Sequence, residues 1–231
     1  MHHHHHHDTA SERIGWAFFL NLCFTVIEFI GGVLTNSTAI LADAVHDLGD
    51  SISIGMAWLL DKFSRKDATN TFTYGYRRLS LVGAFINAVI LTAGSIWILF
   101  EAIPRLWNPV MPMAEGMALL AVFGVIVNGY AAFKLSKGQS LNERVLNWHL
   151  LEDVLGWVAV LVVSIVLLFV DWPILDPLLS IAFTLFILVN VIRHLGSTIK
   201  LFVQASPDPQ VYQQIHEKLV ALDLVDNAHH L

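Results

Sequence analysis

The sequence contains one cysteine and few charged side chains. Cys23 lies within an apolar stretch, so neither a disulfide framework nor a cysteine-rich structural zinc site can form. Charged residues make up 14% of the 231 residues and hydrophobic residues 55%, whereas an ordinary soluble domain is roughly one quarter charged. This composition excludes a cytosolic enzyme. Any bound metal must be held by His, Asp or Glu.

The sequence also lacks a basic patch. Its 13 Lys and Arg residues and 19 Asp and Glu residues give a formal charge of -6, and no long basic run occurs. Proteins that bind nucleic acid carry a clustered positive charge that neutralises phosphates. DNA and RNA are therefore excluded as partners.

Six apolar stretches of about 20 residues recur along the chain, each long enough to cross a hydrocarbon core of about 30 Å as a helix. Backbone groups inside a bilayer must bond within their own segment, which favours helices over open strands. The sequence therefore predicts an all-α membrane protein in which residues 14–204 form a six-transmembrane-helix bundle. The predicted spans are Ile14 to Leu34, Ala39 to Leu60, Leu79 to Ile103, Met113 to Leu135, Leu141 to Val170 and Leu178 to Leu201.

The distribution of Lys and Arg predicts the orientation of the bundle, because these residues accumulate in short cytoplasmic loops. Only Arg105 falls on one side of the six predicted spans. Both termini are therefore predicted to be cytoplasmic. The residues on the cytoplasmic side are Arg13, Lys62, Arg65, Lys66, Arg77, Arg78, Lys134, Lys137, Arg144, Arg193, Lys200 and Lys218.

The two terminal segments are more polar than the predicted bundle. Residues 1–13 are interpreted as a His tag or, alternatively, as a native His-rich cytoplasmic tail that gathers metal ions. Residues 205–231 contain a polar run with helical periodicity from Val211 to Leu222. A segment of about 25 residues cannot bury a core of its own, so we interpret it as the beginning of a truncated cytoplasmic domain.

Four ionisable residues cluster in the second predicted span: Asp43, His46, Asp47 and Asp50. At about 100° per residue they fall within roughly 100° of arc, on one stripe of the helix. Ionisable groups inside a membrane are costly unless they are paired or solvated, and they mark functional sites by default. This stripe is therefore predicted to face the interior of the bundle.

The fifth predicted span repeats the His-x-x-x-Asp pattern at His149 and Asp153, a spacing that stacks two side chains on one helix face. Counted from the cytoplasmic ends, the first pair lies roughly 16 to 22 Å deep and the second roughly 12 to 18 Å. Two imidazoles and two carboxylates form a tetrahedral set that suits Zn²⁺. We therefore predict a metal site of His46, Asp50, His149 and Asp153, with Co²⁺, Ni²⁺ and Cd²⁺ as further candidate ions.

Other interpretations stay open for the remaining polar residues. The alternative interpretation of the two pairs is a hydrogen-bonded packing His and a protonated Asp in each, although the duplication at matching depth favours metal binding. Asp43 and Asp47 are predicted either to orient a ligating His or to pair with a donor elsewhere. Glu28 and Asn21 in the first span face either a water-filled cavity or an interhelical hydrogen bond.

Two further residues receive a simpler interpretation. Glu152 is read as a carboxylate with no metal role, and His194 as a solvated residue near a span end.

A membrane zinc enzyme would need a general base and an open coordination position, as in His-Glu-x-x-His, and the sequence contains no such run. The sequence therefore predicts that the protein is not an enzyme.

From Ile14 to Leu231 the chain resembles the cation diffusion facilitator family. The resemblance is carried by Thr35-Asn36-Ser37 ahead of Ala42-Asp43-Ala44-Val45-His46, by the two His-x-x-x-Asp pairs, and by Tyr74-Gly75-Tyr76-Arg77-Arg78-Leu79 before the third span. In that family the positions of His46, Asp50, His149 and Asp153 bind the transported ion, whereas the resemblance assigns nothing to Asp47.

The resemblance also implies how the protein works. Family members are homodimers that export divalent cations, chiefly zinc, in exchange for protons, and an α+β cytoplasmic domain helps to join the protomers. Leu224 to Leu231 resembles the first strand of that domain. The resemblance thus predicts a zinc and proton antiporter in the bacterial inner (cell) membrane, with the lipid bilayer, zinc and protons as its partners. The alternatives are a passive divalent-cation channel and a zinc-binding membrane sensor.

Overall fold

The computed structural model of the chain describes residues 5–64, 79–135, 141–203, 205, 209–222, 225 and 227–228. All regular structure within these residues is helical. A short 3₁₀ turn, Pro104–Leu106, follows the third helix. The part of the chain that the structure describes forms seven α-helices: α1 (His5–Thr35), α2 (Thr38–Ser64), α3 (Leu79–Ala102), α4 (Ala114–Leu135), α5 (Leu141–Phe169), α6 (Leu175–Phe202) and α7 (Pro209–Val220).

Five of these helices, α1, α3, α4, α5 and α6, are long and apolar enough to cross a membrane. The predicted second span corresponds to α2, which has the length but contains Asp43, Asp47, Asp50 and the Asp61–Lys62 pair. Its charge, and not its length, separates it from the other five. The all-helical architecture agrees with the sequence prediction.

The six long helices pack in pairs around α2. The strongest pairings are α1 with α2, α3 with α6, and α4 with α5, and α2 also contacts α3, α5 and α6. Residues 37–45, at the start of α2, are buried without exception. One apolar cluster joins α2 to α3 and α6, and another joins α2 to α4 and α5. Because α2 belongs to both clusters, its stripe of carboxylates lies inside the bundle.

Two glycines allow helices to approach closely near this centre. A Cβ at Gly49 of α2 would collide with the side chain of Leu91 of α3, and one at Gly124 of α4 would collide with the indole of Trp157 of α5. Small residues at helix interfaces are the usual means of close packing in membranes. Gly49 therefore lets α3 lie against α2 between His46 and Asp50.

The turn between α1 and α2 is tight and is closed by backbone hydrogen bonds. Asn36 has a φ of 55°, a left-handed conformation that Asn tolerates better than most residues. The Asn36 N–H donates to the carbonyl of Val33 and the Ser37 N–H to that of Gly32, which is the Schellman pattern of a helix C-terminus. The chain can therefore reverse within two residues and begin α2 at Thr38.

Asp176, near the start of α6, caps the start of α2. Its carboxylate oxygens accept hydrogen bonds from the Ser37 hydroxyl at 2.5 Å, from the Thr38 N–H and hydroxyl at 2.8 Å each, and from the Ala39 N–H at 3.3 Å. Asp176 is 1% exposed. A carboxylate at a helix N-terminus satisfies free N–H groups and complements the helix dipole. This contact joins α6 to α2 at the end of the bundle where the α1–α2 turn lies.

The helix limits differ from the predicted spans at several ends. α1 begins at His5 and not at Ile14, and α6 begins at Leu175 and not at Leu178. Pro177 is compatible with this earlier start, because a proline in the first turn of a helix interrupts no internal hydrogen bond. Much of the predicted strand at the chain's end lies outside the described residues, and its described members Val225, Asn227 and Ala228 form no strand. Residues 74–78, which belong to the motif before the third span, also lie outside the described residues.

Candidate metal-binding site

A cavity of about 680 Å³ lies between α2, α3, α5 and α6. It contains the candidate ligands His46, Asp50 and Asp153, and it continues toward the end of the bundle where α2 and α6 terminate. None of the described residues that line it is Lys or Arg, whereas Asp43 and Glu152 add two more carboxyl groups. The cavity therefore favours cations over anions.

Three of the four predicted ligands converge at this cavity. One candidate ligand atom from each of His46, Asp50 and Asp153 lies within 4.8 Å of the other two. The separation between His46 Nε2 and Asp50 Oδ2 is 3.7 Å. Ligands about 2.1 Å from a tetrahedral zinc ion stand roughly 3.4 Å apart. Small side-chain movements would therefore let these three residues hold one ion.

The helices explain why the three side chains meet. His46 and Asp50 lie one turn apart on α2, so their side chains stack on one face. Asp153 approaches from α5, which contacts α2 along a short stretch. His149 precedes Asp153 by one turn of α5, but its side chain lies outside the described part of the structure.

Asp43 and Asp47 face different neighbours. Asp43 is 8% exposed and lines the cavity, where it interacts electrostatically with Asp153 and Asp50. Asp47 is 6% exposed and does not line the cavity. Its carboxyl group interacts electrostatically with that of Glu28 on α1. Of these two residues, only Asp43 lines the cavity together with the three converging ligands.

The open question about α1 is resolved by its contacts with α2. The Asn21 side-chain amide donates to the carbonyl of Asp47 at 3.2 Å and to the hydroxyl of Ser51 at 2.9 Å. Glu28 is 1% exposed. Asn21 therefore makes an interhelical hydrogen bond, and Glu28 is buried between the helices and does not line the cavity.

The cavity wall includes polar residues that the sequence analysis did not single out: Ser53 on α2, Asn87 on α3 and Asn190 on α6. The Asn87 side-chain amide donates to the Ser53 hydroxyl at 2.8 Å. His194, predicted to be solvated near a span end, also lines the cavity. The signal that could have identified Asn87 and Asn190 is an amide side chain inside an apolar span, because such side chains face the interior of a helix bundle.

Comparison with known proteins gives consistent results. Residues 16–203 match the family described as "Cation efflux transmembrane domain". The chain is 33% identical to zinc transporter ZitB of Yersinia pseudotuberculosis over 228 residues, which is 97% of this chain and 73% of that protein.

Two further relatives carry names that mention metals. The cadmium, cobalt and zinc/H(+)-K(+) antiporter of Bacillus subtilis is 32% identical over 93% of this chain and 70% of its own length. The metal cation efflux system protein CzcD of Cupriavidus metallidurans is 31% identical over 93% of this chain and 69% of its own length. Together with the apolar helices, these matches show that the protein is a multi-pass membrane protein and that the chain belongs to the cation efflux family, the cation diffusion facilitators.

Proposed function

We propose that this protein exports divalent metal cations, chiefly zinc, from the cytoplasm in exchange for protons. The observation that carries the proposal is the convergence of His46, Asp50 and Asp153 in one cavity of a chain from the cation efflux family. Two of the relatives are named for zinc, one of them also for cadmium and cobalt. Nitrogen and carboxylate ligands suit these ions.

In this proposal α2 spans the membrane together with the five more apolar helices, and both termini of the six-helix bundle face the cytoplasm. The carboxylates of α2 need not meet lipid, because α1, α3, α5 and α6 surround the helix. The excess of Lys and Arg on one side of the spans supports the orientation. The cavity then opens from the metal site toward the cytoplasm. The family resemblance further implies a homodimer.

The proposed site has four ligands, with His149 as the fourth. Zn²⁺ bound by two carboxylates and two neutral imidazoles has no net charge. The empty site is also neutral when both imidazoles carry protons, so either state can cross a low-dielectric barrier at tolerable cost. Metal and protons compete for the same imidazole nitrogens.

The exchange follows from that competition. From the cytoplasm, zinc displaces protons from the imidazoles, and the helices then rock so that the site faces outward. Protons entering from outside displace the metal, and the protonated site returns. Each ligand favours one facing state only through the contacts that it makes there. Up to two protons can accompany each ion.

The test is zinc uptake into everted membrane vesicles with an acidic lumen, measured with a fluorescent zinc indicator inside. The wild-type protein should accumulate zinc, whereas Asp50→Ala and His149→Ala should not, because each removes one ligand. Glu115→Ala is the matched control, since this exposed carboxylate at the start of α4 does not line the cavity.

The same assay separates the rival functions. Zinc flux that persists without a pH gradient and follows only the zinc gradient would indicate a channel. Zinc binding without flux would indicate a sensor. Full transport by both ligand variants would refute the site assignment.

A further inference from the structure

The cavity follows one face of α6 well beyond the three converging ligands. The α6 residues that line it recur every three or four positions, which is the spacing of one helix face. From Phe183 to Thr198 this face extends over about 22 Å of the helix axis. Its members are Phe183, Phe186, Ile187, Asn190, Val191, His194 and Thr198.

The chemistry of this face changes along the helix. Phe183 and Asp43 both lie close to Gly156 of α5, so the deep part of the face, next to Asp43, is aromatic and aliphatic. The part nearer the helix end presents Asn190, His194 and Thr198. Polar side chains within a membrane helix face a cavity or a partner and not lipid.

We propose that His194 and Asn190 form an access site at which divalent transition-metal ions bind weakly on their way from the cytoplasm to the proposed metal site, called the main site below. This inference rests on the proposed function. The two residues lie one helical turn apart on the lining face of α6, so their side chains point into the same part of the cavity. His194 lies about 16 Å along α6 from Phe183, nearer the proposed cytoplasmic end of the helix.

The ligand atoms that His194 and Asn190 offer suit brief binding of a metal ion. An imidazole nitrogen and an amide oxygen are neutral ligands, so they ease partial dehydration of the ion without holding it as strongly as a carboxylate pair would. An ion pathway needs binding that is favourable enough to admit the ion and weak enough to release it. The imidazole also discriminates, because Zn²⁺, Co²⁺ and Cd²⁺ accept nitrogen ligands, whereas Mg²⁺ and Ca²⁺ prefer oxygen.

Neighbouring groups support this assignment. The Thr198 hydroxyl donates its hydrogen to the backbone carbonyl of His194 at 2.9 Å, so its oxygen remains an acceptor at the cavity edge. Glu152 lines the same cavity from α5 and adds negative charge opposite α6. A hydrated cation can therefore meet acceptors of increasing charge as it moves toward Asp153.

The experiment measures initial zinc uptake rates in everted vesicles over a range of zinc concentrations. His194→Ala and Asn190→Ala should each raise the KM for zinc about three- to tenfold, as expected for loss of one weak ligand. The maximal rate should change less than twofold, because the main site is intact. Zinc affinity at equilibrium, measured by calorimetry on the purified full chain, should stay at the wild-type value in both variants.

Ser197→Ala is the matched control, because Ser197 neighbours Thr198 on α6 and does not line the cavity. An unchanged KM in both His194→Ala and Asn190→Ala would overturn the access site while leaving the proposed function intact. Loss of equilibrium zinc binding in His194→Ala would also overturn it, since His194 would then belong to the main site. A wild-type protein that moves no zinc would overturn the proposed function and this inference together.

Discussion

At the scale of single residues, the carboxylates of α2 have different surroundings although they are close in sequence. Asp50 lies beside His46 and Asp153. Asp43 lines the same cavity, whereas Asp47 turns toward Glu28 of α1. These placements predict different consequences for neutral substitution of Asp43 and of a proposed ligand.

Asp43→Asn should weaken zinc binding about ten- to hundredfold, the range for groups that support a metal site without ligating the metal. The physical reason is the loss of an ionisable carboxyl group that interacts electrostatically with Asp50 and Asp153. Asp153→Asn should remove measurable binding, because it removes a proposed ligand. Calorimetric titration of the purified protein with zinc measures both. Equal loss in the two variants would make Asp43 a ligand instead.

The sequence was sufficient to predict that His and Asp side chains of α2 and α5 meet, but not to predict every residue that lines the cavity. The duplicated His-x-x-x-Asp pattern was sufficient to place Asp50 and Asp153 on helices that face each other. It could not separate Asp43 from Asp47, because both fall on one broad stripe and the neighbouring helix decides which of them faces the cavity. Asn190 was missed because a single amide in an apolar span has no periodic pattern to mark it.

At the scale of helices, the contact between Asp176 and the start of α2 should contribute strongly to stability. Asp176→Ala leaves the Thr38 N–H and the Ser37 and Thr38 hydroxyls without this acceptor in a buried site. Each buried donor left unsatisfied costs about 1 to 3 kcal/mol. We expect a loss of about 2 to 4 kcal/mol after partial relaxation, measured as earlier unfolding in denaturant in detergent micelles.

The control for this prediction is Asp171→Ala, which removes an exposed carboxylate between α5 and α6. Surface substitutions of this kind usually change stability by less than about 0.5 kcal/mol. If both variants unfold at the same denaturant concentration as the wild type, the Asp176 contacts contribute no net stability.

The helices were predictable from the length of the apolar stretches, but their ends and contacts were not. Among the described helices, five satisfy a hydropathy criterion that also limits charged residues, and α2 does not, because it carries too many charges. The length of its apolar stretch was what predicted α2 as a span. The contact of Asp176 with Thr38 joins residues far apart in sequence. No local pattern encodes such a pairing.

At the scale of the whole molecule, the two ends of the bundle differ. At the end that contains the α1–α2 turn, Asp176 joins α6 to α2, and the Arg105 guanidinium donates to the carbonyl of Asn36 at 2.9 Å. Toward the other end, the cavity separates α2, α3, α5 and α6. With the proposed orientation, the molecule is closed toward the outside and open toward the cytoplasm.

This asymmetry predicts which positions a water-soluble thiol reagent can reach. In a Cys23→Ser background, which removes the single native cysteine, Ala84→Cys on the cavity face of α3 should react with a membrane-impermeant maleimide in everted vesicles. It should not react when the reagent is added to intact cells. Ile86→Cys is the control, because it lies at nearly the same depth but does not line the cavity, and a thiol in lipid does not form the reactive thiolate. Labelling of Ala84→Cys from outside the cell alone would mean that the cavity opens outward, and reaction of both cysteines alike would mean that α3 does not separate a water-filled face from a lipid face.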